Sequence, residues 1–169
     1  TYFSEIDHDL PTTDGAGNSV TTVTTPSAWN LDFQTGVAEG TLVFGSIRRA
    51  NWGDTTVAPA GAGGTNLLSL SSGNRFTLGV GRTITENFAM SATLSYEASS
   101  GEMVSPLAPT DGNTGITIGG RYQMDNVIFS GGVNYTKLGD ATIQTGGTAR
   151  GTFSDNSAKG FGFSVAYEF

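Results

Sequence analysis

The sequence predicts an all-β protein, an antiparallel up-and-down transmembrane β-barrel with about eight strands in a chain of 169 residues. Three observations predict this fold. Segments long enough to cross a bilayer as tilted strands (roughly 9–11 residues) alternate apolar and polar side chains. The connections between them are alternately long and short, and aromatic residues collect near both ends of the segments. Transmembrane barrels combine these three features, whereas a soluble sandwich has no reason to alternate its loop lengths.

The composition supports this fold class and excludes others. The chain has 25 Gly residues and only 14% charged residues, which argues against a helical protein because Gly is unfavourable inside helices. No stretch reaches the roughly 18 apolar residues of a transmembrane helix, so a membrane-spanning chain of this kind has to be a barrel. A net charge of −7 offers no basic face for nucleic acid, and the absence of Cys excludes disulfides and thiolate metal sites.

Eight segments carry the alternation, and the last is the most regular. In it Phe161, Phe163, Val165, Tyr167 and Phe169 fall on one face, while small or polar residues fall on the other. The predicted strands cover residues 2–9, 29–37, 41–50, 75–81, 88–97, 116–123, 127–136 and 161–169. Long polar connections are expected over residues 10–25, 51–73, 99–113 and 138–159, and tight turns near residues 38–40, 85–87 and 124–126.

Aromatic residues mark both ends of the predicted strands. Trp29, Tyr96 and Tyr135 fall at the long-connection ends, and Tyr122, Tyr167 and Phe169 fall at the tight-turn ends. Trp and Tyr concentrate at both interfaces of a bilayer because one end of each ring system is apolar and the other is polar. The pattern therefore predicts two aromatic girdles.

Several stretches resemble a known family. The stretches Asn30–Ala38, Gly40–Arg48 and Asn51–Trp52 are similar to the FadL/TodX family of outer-membrane transporters for long-chain fatty acids and other hydrophobic compounds. The opening Tyr2–Asp9 and the terminal Tyr167–Phe169 also fit that family's later strands. The resemblance implies passive transport without catalysis or a cofactor, in the outer membrane of a Gram-negative bacterium. The implied partners are the bilayer and its lipopolysaccharide, a hydrophobic ligand and the barrel assembly machinery, for which Tyr167 and Phe169 would be the signal.

The chain departs from the family pattern in two respects. Family members are similar in having a fourteen-stranded barrel plugged by an N-terminal hatch, whereas residues 1–169 resemble its C-terminal half. The prediction is therefore a single outer-membrane barrel domain or barrel segment over 1–169. Arg49 also occupies a position where the family carries an aromatic residue, which leaves the facing of residues 41–50 open.

The ligand class that the resemblance implies has a carboxylate and a long apolar tail. An Arg guanidinium binds a carboxylate through two parallel hydrogen bonds, so the candidate ligand residues are Arg48, Arg75 and Arg121. If Arg49 faces outward, then Leu42, Phe44 and Arg48 face the lumen, which would put an apolar patch beside a cation. The alternative is that the arginines pair with acidic residues on the same wall and only brace it. Those acids are Asp32, Glu97 and Glu168.

No catalytic or metal site is predicted. Glu5, Asp7 and Asp9 share a strand face, but His8 points to the other side, and an acidic, hydrated loop mouth explains the cluster. The Gly-rich run 61–64 lacks the Lys-Ser/Thr of a phosphate-binding loop.

Two other functional classes compete with transport. A self-contained eight-stranded barrel could have a structural, adhesive or receptor role, but its interior is filled by side chains. The predicted inward positions are mostly Gly, Ser, Thr and Ala, which favours the wall of a wider lumen. An outer-membrane lipid enzyme would need a catalytic group beside His8, and the sequence offers none.

Overall fold

The computed structural model describes residues 1–15, 17–68 and 70–169, so Ala16 and Ser69, within two predicted connections, lie outside it. One antiparallel sheet has the order β1-β4-β5-β6-β7-β8-β9-β12, and two separate hairpins are formed by β2–β3 and β10–β11. The strands are β1 (Tyr2–Phe3), β2 (Ile6–Asp14), β3 (Gly17–Thr25), β4 (Ala28–Ala38), β5 (Thr41–Ala50), β6 (Gly73–Thr85), β7 (Phe88–Glu97), β8 (Asn113–Met124), β9 (Val127–Leu138), β10 (Ala141–Thr145), β11 (Thr148–Phe153) and β12 (Ser157–Tyr167). Within the described residues, no helix has the length and apolar character needed to span a bilayer.

The alternation of connection lengths is confirmed. Two-residue turns join β4 to β5, β6 to β7 and β8 to β9, whereas residues 51–72, 98–112 and 139–156 form the long connections. The tight turns use residues that tolerate a left-handed backbone, namely Gly40 with φ of 62° and Asp125 with φ of 50°. All three tight turns therefore lie at one end of the sheet, and the long connections lie at the other.

The predicted first strand is wrong in its extent. Only Tyr2 and Phe3 pair with the main sheet, opposite Trp29 and Ala28, and the chain then leaves it. Strand β2 pairs with β3 over its whole length, so most of the polar stretch after Asp9 is a hairpin rather than an irregular connection. Its β-branched Thr and Val residues favour strand geometry, but neither face is continuously apolar, and the alternation that revealed the other strands is missing.

A second hairpin was missed for the same reason. Strands β10 and β11 pair within the predicted connection 138–159, and Gly146 and Gly147 form the turn between them. Both glycines have positive φ, 59° and 77°, as a two-residue turn with a right-handed twist requires. Strand β12 also begins earlier than predicted, because Ser157 to Gly160 already pair with β9.

The main sheet has one apolar and one polar face, fixed by register. Directly paired residues project from the same side, so each cross-strand row has one character. One apolar row runs Phe33, Gly45, Leu78, Leu94, Ile116, Tyr135, and the neighbouring polar row runs Asp32, Ser46, Thr77, Ser95, Gly115, Thr136. Both predicted groups of aromatic residues lie on the apolar face at opposite strand ends.

The apolar face is unpartnered within the described chain. Leu78, Leu94 and Val133 expose 55–58% of their surface, and Phe163 exposes 71%. The only hydrophobic residues buried in the described chain are Ala28, Ala50, Val104 and Ala141, and no large side chain is fully buried. An exposed apolar surface this continuous requires an apolar environment or another protein surface to cover it.

The sheet curves but remains open. Residues from β4 through β12 line one cavity on the polar side, which makes the polar face concave. Among the described residues, no ladder joins β12 to β1 or β4, so β12 and most of β4 each leave one edge unpaired. Unpaired backbone amides and carbonyls are costly where water is excluded.

Gly45 gives a test of the close strand packing. A Cβ added at Gly45 would lie 2.5 Å from the Thr77 carbonyl oxygen and 2.7 Å from the Phe33 ring. We expect Gly45→Ala to lower the free energy of unfolding in detergent by about 1–3 kcal/mol, because backbone must move to admit it. Gly162→Ala is the control, since nothing lies within 4 Å of its Cβ. Equal urea midpoints for the two variants would contradict this packing.

The free edges predict the behaviour of the isolated chain. These 169 residues should not stay folded alone with both edges open in lipid; they should close on themselves, recruit a second copy, or aggregate. Refolding into micelles followed by electrophoresis with and without boiling distinguishes these outcomes. A folded, monodisperse monomer whose edge amides exchange rapidly with solvent would contradict the expectation.

Candidate functional site

Two arginines lie side by side on the concave face near the long connections. Arg48 of β5 and Arg75 of β6 are direct cross-strand partners, and Glu97 of β7 is the partner of Arg75 on its other side. Both arginine side chains are exposed. Like charges directly opposite each other repel, so this arrangement has a cost unless an anion compensates it.

Among the described residues, the acids on the concave face form no ion pair with these arginines. Asp32 accepts a hydrogen bond from the Asn30 amide, and Glu97 accepts one from Asn113 Nδ2 at 3.0 Å. Within the described residues, the sole ion pair joins Lys137 to Asp155 at 2.9 Å. The predicted alternative, arginines braced by Asp32, Glu97 or Glu168, is therefore not what the structure contains.

The ring of Phe3 contacts Arg48, and the sequence analysis did not identify Phe3 as part of the site. The guanidinium carbon of Arg48 lies 5.9 Å from the centroid of the Phe3 ring. A cation above an aromatic face is attracted to it, which holds Arg48 beside the short strand β1. Sequence spacing could not reveal the contact, because Phe3 is brought to Arg48 by the pairing of β1 with β4 and of β4 with β5.

The apolar candidates lie on the same face as the arginines. Register pairs Leu42 with Gly81 and Phe44 with Gly79, while Arg49 pairs with Trp29 on the opposite, apolar face. The Phe44 ring lies over Gly79, where an added Cβ would overlap it. Along β5 the concave face thus presents a cation, then an aromatic ring, then an aliphatic side chain. The outward orientation of Arg49 resolves the facing that the sequence left open.

A wide cavity continues this face toward the tight turns. Its volume is about 1140 Å³, and its walls include Leu42, Arg121 and a row of small residues. That row contains Gly36, Gly81, Ser91, Gly119, Gly132 and Gly162. The space exists because these positions have little or no side chain.

Arg121 does not join the other two arginines. It is paired with Ala89, eight residues along β7 from Glu97, which places it about 27 Å from the Arg75 row at 3.4 Å per residue. Its Nη2 donates to Gln123 Oε1 at 3.2 Å. The structure therefore separates the three predicted cations into a pair at one end and a single residue at the other.

The remaining predicted residues lie outside this face. Tyr167 ends β12 on the apolar side and contacts Phe169 edge to face, with ring centroids 5.3 Å apart. In hairpin β2–β3, Asp7 and Asp9 accept hydrogen bonds from Thr24 and Thr22. Among the described residues, no group of three His, Cys, Asp or Glu side chains could hold a metal ion.

Asp111 holds together the long connection between β7 and β8, a role that no sequence pattern indicated. Its carboxylate accepts hydrogen bonds from Ser99 Oγ at 2.5 Å and from the backbone amides of Ser100 at 2.7 Å and Gly101 at 2.8 Å. Burial favours the neutral carboxyl, but these hydrogen bonds outweigh it and lower the pKa of Asp111 below its ordinary value. The charged carboxylate therefore fixes the connection between β7 and β8.

The fold has a counterpart among solved structures, although neither a family profile nor a curated protein matches the sequence. The crystal structure of a Pseudomonas aeruginosa FadL homologue superimposes with a TM-score of 0.69 and 15% identity. The match covers 97% of this chain and 46% of that chain, so this chain spans less than half of its length. At this identity the likeness concerns the fold alone, and it confirms the predicted all-β, antiparallel, FadL-like architecture.

The Asp111 anchor predicts a pH-dependent opening of the connection. The pKa of Asp111 is lower in the folded protein than its ordinary value of 3.8. The charged carboxylate therefore stabilises the connection fully above pH 3.8, and this stabilisation is lost as the pH falls through the lower folded-state pKa. We expect the Ser100 and Gly101 amides to lose hydrogen-exchange protection in that acidic range. Asp111→Asn should show faster exchange at these amides already at pH 7. Unchanged protection in Asp111→Asn would contradict the role of the charge.

Proposed function

We propose that this chain forms part of the wall of an outer-membrane barrel through which hydrophobic carboxylates, such as long-chain fatty acids, diffuse passively. The single observation that carries the proposal is the adjacent pair Arg48 and Arg75, which forms no ion pair within the described residues and shares the concave face with Phe44 and Leu42. The fold it shares with a FadL homologue supports the same function.

The chemistry of the face suits a ligand with one charged end and one apolar end. A carboxylate placed between the two guanidinium groups would relieve their mutual repulsion and accept charge-assisted hydrogen bonds. The tail would then follow Phe44 and Leu42 toward the cavity of about 1140 Å³. Because the cavity is wide and lined by small residues, it offers few contacts that would hold the tail, which favours passage over tight storage.

The apolar face supports a location in the outer membrane of a Gram-negative bacterium. Its exposed side chains would contact acyl chains, and the aromatic residues at both strand ends would lie at the two interfaces. Lipid and lipopolysaccharide, the hydrophobic ligand and the barrel assembly machinery, which would read Tyr167 and Phe169, are the partners of this proposal. No step in it involves catalysis, a metal or a cofactor.

The competing small barrel is less well supported. A closed eight-stranded barrel has an interior that side chains fill. Here the row from Gly36 to Gly162 has little side-chain volume with which to fill such an interior. Among the described residues, β12 and most of β4 also have unpaired edges. Pairing of these edges with further strands in a longer protein would give a wider lumen.

The proposal is tested by separating headgroup recognition from tail binding. Replacing both Arg48 and Arg75 by Gln should weaken binding of a fluorescent long-chain fatty acid by about tenfold or more, because hydrogen bonds to charged groups contribute about 1.5–3 kcal/mol. Binding of the methyl ester of the same acid, measured by fluorescence titration in detergent, should hardly change. Phe44→Ala should weaken both ligands.

Arg150→Gln is the matched control, since this arginine is exposed on β11 and away from the concave face. This variant should bind the acid and the ester within twofold of the wild-type affinities, a difference of about 0.5 kcal/mol or less. Equal losses for acid and ester in the double variant would exclude the arginine pair as a carboxylate site. No binding of either ligand by the wild-type protein would overturn the proposed function.

A further inference from the structure

We propose that the apolar face carries a binding site for one anionic phospholipid, with Arg49 contacting the headgroup phosphate and a groove lined by Ile47, Phe76 and Leu78 holding an acyl chain. The proposal rests on the proposed membrane location of this face. It concerns the outside of the wall, opposite to the side that would pass a hydrophobic carboxylate.

The groove crosses the apolar face of the sheet between side chains of β4, β5, β6 and β7. It has a volume of about 310 Å³ and is open along its length. The apolar-face residues that line it are Phe33, Ile47, Phe76, Leu78, Leu94 and Tyr96. A volume at the lower end of the range for small-molecule sites, about 300–1,000 Å³, suits a single chain.

Arg49 stands at the long-connection end of this groove. It follows Ile47 by two residues on the same face, which places its Cα about 7 Å further along β5. Its Nε donates to Asn51 Oδ1 at 3.0 Å and its Nη1 to Asn74 Oδ1 at 3.3 Å. Both acceptors are neutral, so the guanidinium is oriented while its charge is left uncompensated.

The charges of the whole apolar face fit an anionic partner. The chain has 15 acidic residues against 8 Lys and Arg, yet the described strands of the main sheet place only cations on this face. Three of them, Arg49, Lys137 and Lys159, lie toward the long connections, and Arg82 lies near the tight turns. A cation near an anionic lipid surface contributes about 1 kcal/mol of attraction. Of these four, Arg49 is the one whose strand position follows a groove-lining residue, Ile47, on the same face.

This combination distinguishes the site from general contact with lipid. Lys137 is already paired with Asp155, and Arg82 lies toward the opposite end of the strands. At Arg49 an oriented guanidinium, with its bidentate fork, and an acyl-sized groove are adjacent. The occupant is therefore a phospholipid with net negative charge rather than a zwitterionic lipid.

Native mass spectrometry of the delipidated protein in detergent tests the site. We expect tighter retention of phosphatidylglycerol than of phosphatidylcholine with the same acyl chains. Arg49→Gln should reduce phosphatidylglycerol affinity by about tenfold, the equivalent of about 1.4 kcal/mol, and leave phosphatidylcholine unchanged. Arg82→Gln is the matched control on the same face and should change neither.

The groove is tested separately from the charge. Leu78→Trp should fill it and weaken both lipids, whereas Ile118→Trp, on the same face in β8 and outside the groove, should weaken neither. Both positions are exposed, so neither change disturbs a packed interior.

Equal retention of the two lipids by the wild type, or equal effects of Arg49→Gln and Arg82→Gln, would overturn the lipid site. In that case fatty-acid binding that still depends on Arg48 and Arg75 would leave the proposed function standing. A protein that stays monodisperse without detergent or lipid would overturn the membrane location, and the lipid site with it.

Discussion

Backbone hydrogen bonding between adjacent strands is the interaction on which this structure depends. A packed core cannot substitute for it, because the buried hydrophobic residues of the described chain are three alanines and one valine. The ladders from β4 to β9 and β12 satisfy the backbone groups and fix which side chains share a face. What stabilises the sheet beyond these ladders must therefore come from the surroundings of its two faces, since the chain itself supplies so little buried apolar surface.

The register of strand pairing then brings together the residues of the candidate site. Arg48 and Arg75 are distant along the chain but become direct partners because β5 and β6 pair without a shift over ten residues. A slip of one residue would send Arg48 to the apolar face and bring Arg49 to the concave one. The same register stacks glycines into the row that opens the cavity. Strand register thus positions both the arginine pair and the cavity, and neither requires a specialised loop.

The sequence predicted the strands that have one apolar and one polar face, and it missed the strands that are largely polar on both faces. Strands β4 to β9 and β12 alternate because one side is apolar, whereas hairpins β2–β3 and β10–β11 are largely polar on both sides. It also placed Arg75 and Arg121 on the polar face, where the register has them, and left the facing of Arg48 open. It could not predict that Asp32 and Glu97 bond to Asn side chains instead, or that Asp111 anchors a connection, because those partners are chosen by packing in three dimensions.

Two adjacent arginines of β5 lie on opposite faces of the sheet. Arg48 and Arg49 are neighbours in sequence, and the period of two sends them to opposite faces. Arg48 lies beside Arg75, with Phe44 further along the strand. Arg49 lies beside Trp29, two residues beyond Ile47 of the apolar groove. Each of these two cations thus shares its face with apolar side chains and forms no ion pair in the described part of the chain. An amphiphile with an anionic end matches both arrangements, so a single strand can recognise the same chemistry on the two sides of one wall.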